Sequence, residues 1–128
     1  TRWLNVTGVQ TCALPISFVA ELAGGRVQTF EVRPEDAGLP RAAARDLKGG
    51  DRVTNAAAMV QVLSGEAGPL RDVTLFNAAA ALIVAGRCEK LKDGVALAAE
   101  SIDQGRARQA LKRLVEIAGL SDAVGTTQ

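Results

Sequence analysis

The 128 residues, 48% hydrophobic and 23% charged with a net charge of +1, have the composition of one ordinary soluble domain with a core of its own. The scattered 15 basic and 14 acidic residues form no stripe for a phosphate backbone. The absence of His removes the usual general base and the commonest metal ligand, and with them any Ser/His/Asp or Cys/His nucleophilic arrangement.

Two cysteines, Cys12 and Cys88, stand far apart with no CxxC, so neither a disulfide framework nor a zinc site finds support. The most apolar run, Val73 to Ala85, is too short for a bilayer, which needs roughly 20 apolar residues. The expectation is a cytoplasmic location, with no nucleic acid and no membrane as partner. Aromatics are limited to Trp3, Phe18, Phe30 and Phe76, so the core must be built from Leu, Val, Ile and Ala. Small side chains of that kind let helix axes approach closely.

Residues 1–16 keep no sustained period of 2 or 3.6 and are set apart from the fold. Asn5-Val6-Thr7 fits a glycosylation acceptor, a triplet frequent by chance and unused in a cytosolic protein. From Ser17 the pattern becomes regular. Phe18 to Leu22 and Arg26 to Val32 are rich in Val, Thr and Phe and are joined through Gly24-Gly25, which predicts a β-hairpin. Pro34 suits a first helical position, with Glu35 and Asp36 near the positive end of one short turn. A brief helix is predicted over Ala42 to Leu47, ahead of the breaker Gly49-Gly50.

Four helices follow. The first, about Asn55 to Leu63, takes Thr54 as N-cap and Ala56, Met59, Val60 and Leu63 as its apolar face. The second, about Leu70 to Ala85, begins at Pro69, stops at Gly86 and is apolar nearly all round, which predicts a central place. The third, about Leu91 to Gln104, aligns Leu91, Val95, Ala98 and Ile102 and ends at Gly105. The fourth, about Ala107 to Ala118, lines up Ala107, Ala110, Leu111, Leu114, Val115 and Ala118 before Gly119. Residues 121–128 read as a flexible tail.

Few residues compete for a chemical role. Gly49-Gly50-Asp51 ahead of a helix has the outline of a phosphate-cradling turn, but lacks the Walker pattern and reads as a structural turn. Glu35-Asp36 offers two carboxylates for Mg²⁺, yet adjacent acids at a helix start ordinarily serve the dipole and the cap. Asn77, expected to be buried among alanines, reads as an amide bonded to nearby backbone rather than to a ligand. Cys88 reads as a spare thiol. The residues describe a scaffold without a catalytic constellation.

Val6 to Ile16, VTGVQTCALPI, resembles the in-frame translation of a short-read sequencing adapter, which marks residues 1–16 as a non-native segment. Arg2 is the only charge they carry. From Ser17 to about Ala118 a series of motifs follows in order: Val32-Arg-Pro-Glu-Asp-Ala-Gly-Leu-Pro-Arg-Ala42, Gly49-Gly50-Asp51 with Asn55-Ala56, and Val62-Leu-Ser-Gly-Glu66 with Gly68-Pro69. After them come Arg71-Asp72, Asn77-Ala-Ala-Ala-Ala-Leu82, Ala85-Gly86, Gly94-Val95 with Ala98, Ile102-Asp103 and Gly105. In order and spacing they resemble the C-terminal end of anthranilate phosphoribosyltransferases. Ala37 stands where that family usually has an aromatic, which should weaken local packing.

The resemblance implies an α/β fold: residues 17–120 would be the C-terminal part of the nucleoside phosphorylase/phosphoribosyltransferase α/β domain, one β-hairpin followed by about four helices. It implies a parent homodimer that transfers the phosphoribosyl group of phosphoribosyl pyrophosphate to the amine of anthranilate in tryptophan biosynthesis, with Mg²⁺ assisting pyrophosphate departure. That family's Gly-Thr-Gly-Gly-Asp loop, its anthranilate-contacting Asn and Arg and its Asp-Glu metal pair all precede the hairpin. No catalytic, cofactor-binding or metal residue is therefore assigned within this chain, which is expected to be inactive alone. The alternatives are a fragment of a pyrimidine nucleoside phosphorylase, a transferase-like nucleic-acid-binding paralogue, for which the charge is too balanced, and a stand-alone helical interaction module.

Overall fold

A computed structural model describes the backbone of Trp3–Asn5 and residues 16–119. Cys12, most of the adapter-like stretch, the Asn5 to Thr7 triplet beyond Asn5 itself, and the predicted tail lie outside the described residues.

Strands β2 (Ser17–Ala23) and β3 (Arg26–Val32) form the expected hairpin, paired from Ser17 opposite Val32 to Ala23 opposite Arg26. Gly24 and Gly25 turn the chain at φ of 58° and 77°. Two successive left-handed residues match the twist of the flanking strands, and only glycine adopts them without a Cβ clash. A third strand, β1 (Trp3–Asn5), pairs antiparallel with β2, Leu4 opposite Glu21, giving the order β1-β2-β3. This strand falls in the segment that the sequence pattern set apart from the fold. Val19 is the buried residue among the described side chains of the strands.

The chain then makes two 3-10 turns. In Pro34–Ala37 the Arg33 amide donates to Asp36 Oδ2 at 2.8 Å, and Gly38 ends the turn at φ 76°. Ala37 is buried even though it lacks the bulk of an aromatic ring, and its turn lies against the later helix Leu91–Asp103. The second turn covers Ala44–Leu47, shorter than the predicted helix over 42–47. The Ala43 amide donates to Asp46 Oδ2 at 3.1 Å, an end-closing bond that holds one tight turn.

Helix α1 (Arg52–Leu63) begins three residues before the predicted start. Its N-cap is Asp51, not Thr54: the Thr54 amide donates to Asp51 Oδ1 at 2.8 Å. Both residues are good caps, and the charged acceptor three residues ahead of that amide wins it. The predicted apolar face is also corrected. Met59 and Val60 are exposed, and Val62 is the residue that α1 buries. From Ala56 to Leu63 only Gln61 is polar, so periodicity alone could not choose between two apolar faces.

Helices α2 (Pro69–Val84) and α3 (Leu91–Asp103) form the central pair. Pro69 opens α2 where its missing N–H costs nothing. Gly86, at φ 69°, closes it, with the Arg87 amide donating to Leu82 O at 2.9 Å. A Cβ on Gly94 of α3 would stand 2.8 Å from Ala79 Cα and Cβ, so the two backbones touch there. Val62, Leu75, Ala98 and Ile102 make the core, with Leu70, Ala78, Leu82, Val95, Ala99 and Ala107 packed around them. Full burial of a Val, Leu or Ile side chain contributes about 1.5–3 kcal/mol, and of an alanine methyl less.

Helix α4 (Arg106–Ile117) follows Gly105, which sits at φ 74°. An ion pair at 3.0 Å joins Arg106 to Glu100 on α3. Of the predicted α4 face, Ala107, Leu111 and Val115 are half-buried, whereas Ala110, Leu114 and Ala118 are exposed.

Candidate functional site

The loop with the outline of an anion cradle is closed on itself. The Gly50 amide donates to Asn55 Oδ1 at 2.9 Å, and Asn55 Nδ2 donates back to Gly50 O at 3.0 Å. A phosphate would need that amide, which is already in use. Asp51 adds a carboxylate at the same helix start. Hydrogen bonds from the Thr54 amide and hydroxyl hold its carboxyl below its ordinary value. A Cβ on Gly50 would come within 2.9 Å of Thr54, so the glycine serves a close approach. Gly49-Gly50-Asp51 is a structural turn.

Glu35 and Asp36 diverge. Asp36 caps Arg33, while Glu35 accepts from the Arg41 guanidinium. Bonding from its own backbone amide, and after it Arg41, lowers the Glu35 carboxyl from its ordinary value. With each carboxylate occupied by a different partner, the pair does not present two convergent oxygens to Mg²⁺. Among the described residues no three His, Cys, Asp or Glu side chains come together to hold a metal.

Asn77 is exposed on α2 rather than buried among its alanines. Its neighbours Ala78 and Ala79 take the core-facing positions, which turns the amide outward. Cys88, just past α2, is a half-buried free thiol.

One polar pair escaped the sequence reading as a pair. Arg71 in the first turn of α2 reaches Asp103 at the end of α3, Nη2 to Oδ1 at 2.8 Å and to Oδ2 at 3.0 Å. The Arg71 side chain is 13% exposed, and its Nη1 is buried without a hydrogen-bond partner among the described residues. Gly65 lies against both groups, a Cβ there falling 3.5 Å from each. A cavity of about 160 Å³ beside Arg71 is bordered by Asp46, Glu66, Gly68 and Leu70. Asp46 and Glu66 share its wall with the arginine, which ties α2 to α3 through Asp103. The partners are 32 residues apart, and no local pattern announces them.

Turns closed by their own side chains, a helix pair tied at its open end and a sheet laid alongside define a scaffold segment of an α/β protein. The model of the glycosyl transferase family a/b domain matches residues 8–108, and the chain belongs to that family. It is 60% identical over 99 residues to the anthranilate phosphoribosyltransferase of Parvibaculum lavamentivorans, covering 77% of this chain and 29% of that protein. The enzyme of the same name from Nitrobacter hamburgensis is 54% identical over 101 residues, 79% of this chain and 30% of the relative. The chain thus spans under a third of the length of these relatives.

Among solved structures, the anthranilate phosphoribosyltransferase of Thermus thermophilus superposes with a TM-score of 0.76 at 36% identity, over 90% of this chain and 34% of that one. The Saccharomyces cerevisiae enzyme in complex with 4-fluoroanthranilate also gives 0.76 over 90% of this chain and 34% of its own, and at 23% identity speaks for the fold alone. The third strand aside, the α/β reading of a hairpin followed by four helices is borne out.

Proposed function

We propose that the chain is the C-terminal part of an anthranilate phosphoribosyltransferase, an enzyme that transfers the phosphoribosyl group of phosphoribosyl pyrophosphate to the anthranilate amine with release of pyrophosphate in tryptophan biosynthesis, and that the chain has no activity alone. The observation that carries the reading is the 60% identity with an enzyme of that name over 99 residues. At that level the shared stretch supports the named transferase over a nucleoside phosphorylase fragment. The described residues contribute support: a helix pair, a hairpin and closed turns on which reacting groups from elsewhere in the polypeptide would be mounted. Mg²⁺ belongs in this reading to the intact enzyme, as do the homodimer and the cytoplasmic location. No helix among the described residues is long and apolar enough to cross a membrane.

Residues 17–120 are the enzyme-derived part in this proposal, with 121–128 as a tail and 1–16 as a non-native segment. Against the last point stand the family match, which begins at residue 8, and the pairing of Trp3–Asn5 with β2. Sequencing the source DNA across codons 16 and 17 decides it: an Asp-Glu pair directly upstream supports a foreign segment, and an uninterrupted natural reading removes the idea.

The functional test is direct. Purified chain, incubated with phosphoribosyl pyrophosphate, anthranilate and Mg²⁺, is expected to leave anthranilate fluorescence unchanged. Turnover above a protein-free blank would overturn the claim that the chain is inactive alone.

A further inference from the structure

We draw no further inference here: the strongest candidate, the cavity of about 160 Å³ at the start of α2 bordered by Asp46, Glu66 and Arg71, carries nothing because the unpaired Arg71 Nη1 is buried out of its reach and Nη2 is taken by Asp103, which leaves only a helix N-terminus with no second feature that points to a ligand.

Discussion

Replacing Gly94 by alanine sets two known effects against each other at one atom. Gly94 lies in the first turn of α3 and is buried against α2. Alanine is the better helix former by about 1 kcal/mol, so in an open position the change would stabilise. Here the new methyl would stand 2.8 Å from Ala79 Cα and 3.1 Å from its carbonyl oxygen. Backbone atoms in mid-helix cannot rotate aside as a flexible side chain can, so α2 and α3 must separate. Overpacking costs about 1–3 kcal/mol, and contact with backbone puts the cost at the upper end of that range. Separation also loosens Leu75 from Ala98 and Ile102, the centre of the core. The net expectation is a loss of about 2 kcal/mol, or about 5–10 °C in Tm for a chain of this size. Thermal unfolding followed by far-ultraviolet circular dichroism, with a urea titration for the free energy, measures it. A Gly94→Ala protein as stable as the parent, or more so, would refute the argument that α2 and α3 meet backbone to backbone. Gly94→Leu is expected to abolish cooperative unfolding altogether.

Val62→Ala removes the one buried residue of α1, and about 2 kcal/mol with it; hydrogen exchange should show the α1 amides losing protection before those of α2 and α3. Asp51 has a folded-state carboxyl pKa below its ordinary value of 3.8, so its contribution is present above that value and is lost as pH falls through the lowered one. Acid titration of Tm should therefore fall less steeply below pH 3.8 in Asp51→Asn than in the parent, and equal slopes would show that the cap carries no pH-dependent stability.

The elements that the sequence announced are those with chemical punctuation at both ends. Gly24-Gly25 set the hairpin, and Pro69 with Gly86 bounded α2 within a residue of where it lies. The start of α1 was misplaced because Asp51 and Thr54 are both capping residues, and only the hydrogen bond between them shows which one caps. Its face was misread because a helix apolar on two sides carries no internal sign of which side has a partner. The Arg71–Asp103 tie joins residues whose separation exceeds any local pattern. The third strand leaves no sign in the sequence, since three residues are too few to show alternation. The absence of an assigned catalytic residue follows from composition and from the resemblance, which places that family's reacting groups before the hairpin.

Strand β3 forms one margin of the sheet, with no further strand beyond it among the described residues. Its sequence, Arg26-Val-Gln-Thr-Phe-Glu-Val32, reads almost as its own complement in antiparallel register. Laid edge to edge with a copy, Arg26 faces Glu31 and Val27 faces Phe30. Natural edges are usually guarded by proline, a bulge or repelling charges, and here the charges attract. Two such edges brought together would match in charge and in apolar contact, although the net charge of the whole sequence is near neutral.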